Sequence, residues 1–153
     1  MLGDVVEAAL AVGRVLVVTD DASVVPAGAE VVFEAGEGIG LAVELGLAHV
    51  EGHALVVNAD LPTATSDSLV VLAEAGLALV EACDGTTNAL SLPDPRVFAP
   101  LYGPGSAARF RAHAPFVTAS IPELEADVDS DGDLERLAYK LGARTRALLA
   151  VPA

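Results

Sequence analysis

Valine-rich runs of strand length alternate with helical patterns along this chain of 153 residues. The runs that predict strands are 14–19 ("RVLVVT"), 30–33 ("EVVF"), 53–59 ("HALVVNA"), 77–83, 88–92 and 115–121. The stretches that predict helices are 1–13, 40–50, 65–75 with Thr65 or Ser66 as N-cap, and 132–150 with a break at Gly142. This alternation predicts an α/β fold, in which a three-layer, Rossmann-like sheet is joined by right-handed crossovers.

The composition is consistent with such a sheet. Hydrophobic residues make up 53% of the chain and aromatic residues only 4%, so the core is built from small aliphatic side chains. These suit parallel strands that are covered by helices on both faces. The length is that of one ordinary domain, which we expect to span residues 1–153.

The charge argues against two classes of partner. With 22 acidic and 8 basic residues, the formal net charge is -14, and the surface repels nucleic-acid phosphates and anionic membranes. No apolar run reaches the roughly 18 residues that a membrane span needs. A single cysteine and the lack of a secretory leader pattern favour a cytoplasmic protein.

Polar residues follow two of the predicted strands. Asp60 comes directly after the most hydrophobic strand, where a carboxylate can face a ligand in an open α/β sheet, although it could equally cap the next turn. The stretch "DGTTNAL" at 84–90 offers donors from Thr86, Thr87 and Asn88 to an anion. Asp-Gly is also a common turn signal, and taken alone the turn is favoured.

The stretch "LYGPGSAARFRAHAP" at 101–115 combines flexible glycines with basic residues. Gly103 and Gly105 let the backbone approach a ligand closely, and Ser106 begins a predicted helix whose free N–H groups favour an anion. Arg109 and Arg111 follow within two turns, as does a histidine. The plainer interpretation is a serine-capped helix with a solvated basic face.

The acidic stretch "EADVDSDGDLERLA" begins at residue 125. Asp127 and Asp129 are separated by one residue, so in an extended strand end both carboxylates face the same side and can reach one hard cation. The stretch also matches the first half of an EF-hand loop, but the twelfth position is Ala138 where a glutamate is required, and we discard that motif. A further alternative is that Asp131 or Asp133 caps the last helix.

In this order, the motifs resemble one family over nearly the whole chain. They are "VVTDD" (17–21), "ALVVNADLP" (54–62), "DGTTNALSL" (84–92), "FAPLYGPGSAARFRAH" (98–113) and "LEADVDSDGDLERL" (124–137). The chain resembles the guanylyltransferases of coenzyme F420 biosynthesis, called CofC in archaea and FbiD in actinobacteria. The resemblance implies a single-domain nucleotidyltransferase fold. It also implies transfer of GMP from GTP to phosphoenolpyruvate or 2-phospho-L-lactate, with release of pyrophosphate.

The resemblance also implies roles for individual residues. Thr87, Gly103 and Ser106 match residues that cradle the phosphorylated acid. The acids Asp60, Asp127 and Asp129 match those that hold Mg²⁺ near the phosphates and serve catalysis. Arginine outnumbers lysine seven to one, which favours an actinobacterial source and hence phosphoenolpyruvate as the acid.

The chain departs from the family pattern at two points. It begins after the family's first strand and its basic loop, so we expect an N-terminally truncated sheet with exposed strand edges and a weakened triphosphate site. The family's Gly-Leu-Asn motif is Gly40-Leu41-Ala42 here. Two hypotheses follow: an active guanylyltransferase, or a catalytically impaired relative that keeps the phospho-acid pocket. The expected ligands are the same two substrates, and association into a homo-oligomer is left open.

Overall fold

The computed structural model describes residues 1–34, 36, 38–128 and 130–150. Its strands are β1 (Leu16–Thr19), β2 (Glu30–Phe33), β3 (Ala54–Val57), β4 (Ala78–Glu81), β5 (Thr87–Leu92) and β6 (Val117–Thr118). Its helices are α1 (Leu2–Leu10), α2 (Ile39–Leu47), α3 (Ser66–Glu74), α4 (Ser106–His113), α5 (Pro122–Glu125), α6 (Asp131–Leu137) and α7 (Ala143–Leu149). Short 3₁₀ turns lie at Ala22–Val24 and Pro95–Val97.

The strands form two sheets among the described residues. One is the parallel pair β1–β2, and the other has the order β3-β5-β4-β6. In the larger sheet β5 is antiparallel to both of its neighbours, while β4 and β6 are parallel. The α/β fold is therefore confirmed, but the expectation of uniformly parallel strands is wrong at β5. That strand follows β4 through a short hairpin at Asp84-Gly85, where Gly85 has φ of 82°.

The larger sheet carries apolar clusters on both faces. One face packs Val80 and Ala89 against α1, α3 and the Leu124 side chain of α5. The opposite face packs Leu79 and Leu90 against Phe110 of α4. The sheet is thus the middle of three layers, as the alternation of strands and helices predicts.

Local signals account for most of the helix ends. Thr65 is the N-cap of α3, and its side chain forms a reciprocal capping box with Ser68, which confirms that prediction. The predicted helical tail is broken as expected, with α6 and α7 on either side of the segment that ends at Gly142. The structure differs at 115–121, where only Val117–Thr118 forms a strand. A short helix, Pro122–Glu125, follows it.

A buried carboxylate joins the first helix to the last. Asp4 is 6% exposed, and its oxygens accept hydrogen bonds from the Arg144 amide at 2.8 Å and the Thr145 amide at 2.9 Å. The Thr145 hydroxyl donates a further hydrogen bond. A Cβ at position 142 would overlap the Asp4 carboxylate, which explains why the break between α6 and α7 is a glycine.

In the part of the chain that the structure describes, the longest helices have nine residues, and none is long and apolar enough to cross a bilayer.

We expect Asp4→Ala to lower the free energy of unfolding by about 1–3 kcal/mol at neutral pH, because three donors of α7 lose their acceptor. Burial alone would raise the pKa of Asp4, but the hydrogen bonds from Thr145 and the Arg144 amide outweigh it and lower that pKa. The stabilisation is therefore present above the unfolded-state pKa and is lost as pH falls through the lower, folded-state value.

Urea denaturation of both proteins between neutral and acidic pH measures this difference. The matched control is Glu7→Gln, which removes an exposed ion pair between the same helices, Arg144 Nε to Glu7 Oε2 at 2.8 Å, and which costs less than about 1 kcal/mol. A gap between wild type and Asp4→Ala that stays constant down to pH 2 would contradict the assignment.

Candidate active site

Thr87 and Ser106 form a buried hydroxyl pair at the centre of the candidate site. Their side chains are 1% and 0% exposed, and the Ser106 hydroxyl donates to Thr87 Oγ1 at 3.0 Å. Thr87 begins β5 and Ser106 begins α4, so two segments that are 19 residues apart in sequence meet here. The structure thus brings together two of the three residues assigned to substrate binding.

The third residue, Gly103, lies in the loop that leads into α4. Its φ is 110°, a backbone conformation that glycine adopts without strain, and its carbonyl accepts the Ser106 amide at 3.0 Å. Gly105, with φ of 69°, is the N-cap of the helix. The interpretation of Ser106 as the cap is therefore wrong, because Ser106 is the first helical residue and its side chain points to Thr87.

The helix start is less open to an anion than its sequence predicts. The Ser106 amide is held by the Gly103 carbonyl, and the Ala107 amide donates to the Gly85 carbonyl at 3.3 Å. These two donors dock α4 onto the β4–β5 hairpin. Two of the N–H groups expected to be free therefore already have acceptors.

Arg109 and Arg111 of α4 donate their hydrogen bonds to acceptors within the protein. The Arg109 guanidinium wraps the loop and donates to the carbonyls of Leu101, at 2.8 and 3.1 Å, of Tyr102, at 3.0 Å, and of Pro104. Arg111 pairs with Glu81 at 2.6 Å and also donates to Thr118. The hypothesis that they hold an anion is not supported, because these groups already have acceptors.

An aromatic cluster anchors the same loop. The Tyr102 ring packs edge-on against Phe110 at 5.5 Å between centroids and lies 6.2 Å from Phe98. Burial raises the pKa of Tyr102, whose hydroxyl is enclosed and has no hydrogen-bond partner among the described residues. The Gly103 loop thus lies between the buried Tyr102 ring and the first turn of α4.

Hydrogen bonds of Asn58 and Asn88 connect the start of β5 to the end of β3 and to α5. The Asn88 side chain, which is buried, donates from Nδ2 to the Leu124 carbonyl at 3.1 Å, and the Asn88 backbone carbonyl accepts the Asn58 backbone amide at 3.0 Å. The Asn58 side chain donates to the Thr87 carbonyl at 3.3 Å. The sequence analysis considered Asn88 as a possible donor to an anion, with the turn favoured, and it missed Asn58. Asn58 follows the same strand as Asp60, and this position was the sequence signal that could have identified it.

The acids that the resemblance singles out are only partly described. Asp60 follows β3, and its carbonyl accepts the Val128 amide at 3.2 Å, which brings the segment next to Asp127 to the end of that strand. Asp129 lies outside the described residues. Among the residues described, no group of three or more His, Cys, Asp or Glu side chains could hold a metal ion.

Asp133 lies in the first turn of α6 and helps to cap that helix. Its carboxylate accepts the amide and the hydroxyl of Ser130 at 3.1 and 2.7 Å, in a capping box at the start of α6. The capping interpretation is thus confirmed for Asp133, with Ser130 as the N-cap. The ion pair with Asp133 at 2.8 Å raises the pKa of Arg136, with smaller contributions from Cys83 and Asp127.

The chain is similar to proteins whose names give a reaction. Phosphoenolpyruvate guanylyltransferase of Geodermatophilus obscurus is 38% identical over 164 residues, which cover 97% of this chain and 76% of the relative. A protein of the same name from Sphaerobacter thermophilus is 38% identical over 94 residues, which cover 55% of this chain and 45% of the relative. This chain therefore spans about three quarters of the first relative's length but less than half of the second's.

The chain belongs to the phosphoenolpyruvate guanylyltransferase family. The resemblance seen in its motifs is thus confirmed. A hypothetical transferase from Thermus thermophilus has a similar fold, with a TM-score of 0.62, 23% identity and coverage of 88% of this chain and 85% of that one. At this identity the likeness supports the transferase-like α/β fold alone. No family model matches the chain.

We expect Arg109→Met to loosen the loop of this family member, because three backbone carbonyls lose a charged donor. The free energy of unfolding should fall by about 1–3 kcal/mol, and amide hydrogen exchange at 103–106 should accelerate. Arg96→Met is the matched control, since the Arg96 side chain is 91% exposed and its hydrogen bonds, among the residues that the structure describes, all go to the neighbouring Asp94. Equal exchange rates in both variants would show that the aromatic cluster alone holds the loop.

Proposed function

We propose that this chain transfers GMP from GTP to phosphoenolpyruvate and releases pyrophosphate. The observation that carries the proposal is the buried Thr87–Ser106 pair beneath the Gly103 loop, in a chain that belongs to the phosphoenolpyruvate guanylyltransferase family. The names of the relatives favour an active transferase over an impaired binding protein.

In this proposal Thr87, Gly103 and Ser106 bind the phosphorylated acid. Gly103 presents backbone without a side chain, and the hydroxyls of Thr87 and Ser106 lie within 3.0 Å of each other. One hydroxyl of such a pair can turn its proton toward a phosphate or carboxylate oxygen while the other keeps the internal hydrogen bond. Hydrogen bonds to charged groups are stronger than those between neutral groups, so a small anion gains more here than a neutral analogue.

Asp60, Asp127 and Asp129 would hold Mg²⁺. Carboxylate oxygens together with substrate phosphates form the ligand set that Mg²⁺ prefers, and the hydrogen bond between Val128 and Asp60 brings two of the three acids to one edge of the sheet. When bound, the ion would neutralise charge that accumulates on the phosphates during transfer. Asp129 enters the proposal from the sequence alone.

The transfer is a substitution at phosphorus. A phosphate oxygen of phosphoenolpyruvate forms a bond to the α-phosphorus of GTP, and the bond from that phosphorus to the bridging α,β oxygen breaks. The electron pair of the broken bond leaves with pyrophosphate. Thr87, Gly103 and Ser106 hold the attacking phosphate in place, and such positioning supplies much of the rate in reactions of this type.

Two finer expectations accompany the reaction. The product would enter coenzyme F420 biosynthesis, and the protein would work in the cytoplasm with GTP as nucleotide. In this proposal 2-phospho-L-lactate is the weaker acid substrate.

The proposal is tested by incubating the purified chain with GTP, Mg²⁺ and phosphoenolpyruvate, and measuring pyrophosphate release. Parallel reactions contain 2-phospho-L-lactate or no acid. We expect release that depends on the acid and is faster with phosphoenolpyruvate. Binding of phosphoenolpyruvate in calorimetry without any pyrophosphate release would instead support the impaired relative.

Ser106→Ala should weaken phosphoenolpyruvate binding about ten- to a hundredfold, because one hydrogen bond to a charged group is lost. The matched control is Thr86→Ala on the same hairpin, since the Thr86 hydroxyl is taken by Asp84 at 2.6 Å. Calorimetry and the KM for phosphoenolpyruvate report the change. Equal affinity of both variants would remove Ser106 from the pocket.

Asp60→Asn and the double variant Asp127→Asn with Asp129→Asn should each lower Mg²⁺-dependent turnover about 100-fold or more, since several kcal/mol of charge stabilisation depend on the metal. Asp94→Asn, remote from the hairpin and bonded to Arg96, is the control. Titration with Mg²⁺ alone gives a second readout. Unchanged Mg²⁺ affinity and turnover in the double variant would leave these acids a purely structural role.

A further inference from the structure

A buried oxygen of Asn88 has no hydrogen bond in the part of the chain that the structure describes. The Asn88 side chain is 1% exposed, and its Nδ2 donates to the Leu124 carbonyl at 3.1 Å. The other polar atom, Oδ1, is also enclosed, and none of the described residues donates to it. Buried polar atoms in folded proteins nearly always have a partner, so this oxygen is a candidate contact for a ligand or an ion.

The orientation of this amide is fixed by its other end. The nitrogen of an asparagine side chain only donates hydrogen bonds, and the oxygen only accepts them. Because the Leu124 carbonyl can only accept, Nδ2 faces α5 and Oδ1 points away from that carbonyl. The group that meets Oδ1 is therefore either a hydrogen-bond donor or a cation.

Asn88 lies between the two segments that carry the acids of the proposed metal site. Its backbone carbonyl accepts the Asn58 amide at 3.0 Å, and Asp60 follows two residues after Asn58. Its side chain bonds to the Leu124 carbonyl, and Asp127 follows three residues after Leu124. The same two segments are joined directly by a backbone hydrogen bond of 3.2 Å at the end of β3. Asn88 thus contacts both sides of this acidic region.

The start of β5 is irregular at this residue. Thr87 pairs with Glu81 and Ala89 pairs with Val80, so β5 has one residue more than β4 between these two pairs. The additional residue is Asn88, which lies in a β-bulge. Bulges are frequent next to active sites, where they redirect a side chain. Here the Thr87 side chain bonds to α4 and the Asn88 side chain bonds to α5.

The charge around Asn88 favours a cation as the partner of Oδ1. The two segments that it contacts each carry a carboxylate, Asp60 on one and Asp127 on the other. Carboxylates attract a cation and repel the anionic substrates of the proposed reaction. A donor group on a substrate is therefore the less favoured partner.

We propose that Asn88 Oδ1 is a further ligand of the divalent cation at Asp60, Asp127 and Asp129. This inference rests on the metal role proposed for those acids, and it adds a neutral oxygen to their carboxylates. Mg²⁺ and Mn²⁺ both prefer oxygen ligands, and an asparagine oxygen holds a magnesium ion in protein kinases.

The test measures binding of Mn²⁺ alone, which takes the same oxygen ligands as Mg²⁺ and whose free concentration is read by electron paramagnetic resonance. We expect Asn88→Leu, which removes the oxygen, to weaken Mn²⁺ binding about tenfold or more. Asn88→Asp keeps an oxygen at this position and should bind Mn²⁺ at least as tightly as the wild type. Both variants lose the donor to Leu124, so the difference between them reports the oxygen.

Thr63→Val is the matched control for the lost contact with α5. The buried Thr63 hydroxyl donates to the Glu123 carbonyl at 2.7 Å, so this variant also removes a side-chain hydrogen bond to the backbone of α5. We expect Thr63→Val to lower the melting temperature and to leave the Mn²⁺ affinity unchanged.

The melting temperature with and without Mn²⁺ gives a second readout, because an ion that binds only the folded chain raises it. The rise should be smaller in Asn88→Leu than in the wild type. In Asn88→Asp it should be at least as large as in the wild type, since a buried carboxylate is costly until a cation pairs with it.

The inference is overturned if Asn88→Leu binds Mn²⁺ as tightly as the wild type, or if Asn88→Leu, Asn88→Asp and Thr63→Val all weaken binding equally. The metal role of the acids would survive either result, provided that the wild type binds Mn²⁺ and Asp60→Asn does not. A wild-type chain that does not bind Mn²⁺ would overturn both. If one Asn88 variant does not fold, the other decides alone, since weaker binding by Asn88→Asp than by the wild type also contradicts the inference.

Discussion

Strand β5 is the element on which both the fold and the candidate site depend. All six of its residues are buried, and it pairs with β3 and β4 on its two sides. Its first residues, Thr87 and Asn88, carry the hydrogen bonds to Ser106 and to the Leu124 carbonyl. Since a strand in the middle of a sheet is held on both edges and both faces, these polar groups are fixed by the packing of Ala89 and Leu90 beside them.

Local sequence signals predicted most elements because each signal has a local physical cause. The alternation of valine-rich runs and helical patterns marks strands and helices, and Thr65 caps its helix through atoms of its own turn. The position of β5 between β3 and β4 could not be inferred in this way. Its pairing between β3 and β4 depends on residues far apart in sequence, and the Asp84-Gly85 turn signal specified only a local reversal.

The sequence motifs pointed to individual residues of the candidate site, but they did not predict the contacts that these residues make. Thr87 and Ser106 belong to two separate sequence motifs, and nothing in either motif shows that the two hydroxyls form a hydrogen bond. The basic residues of α4 suggested an anion site, whereas Arg109 and Arg111 satisfy backbone carbonyls and Glu81. Helical spacing places charges on one face but says nothing about acceptors that the fold brings from elsewhere. The metal-binding role of Asp60, Asp127 and Asp129 stays a prediction.

The use of arginine throughout the protein bears on how two anionic substrates could be held together. All seven arginines have an acceptor within the chain: Arg14 with Glu30, Arg96 with Asp94, Arg109 with loop carbonyls, Arg111 with Glu81, Arg136 with Asp133, Arg144 with Glu7 and Arg146 with the Leu141 carbonyl. A chain with net charge -14 therefore commits its guanidinium groups to internal contacts. Two phosphorylated substrates brought together would repel each other and the acids around them, and the cost grows where water is excluded. Compensation must then come from a bound cation or from cationic groups outside these residues. The proposed magnesium site at the end of β3 would supply the first of these, because Mg²⁺ is usually held by one or two carboxylates together with substrate phosphate oxygens. If these acids hold Mg²⁺ as proposed, the ion would strengthen binding of the substrates and the substrates would strengthen binding of the ion.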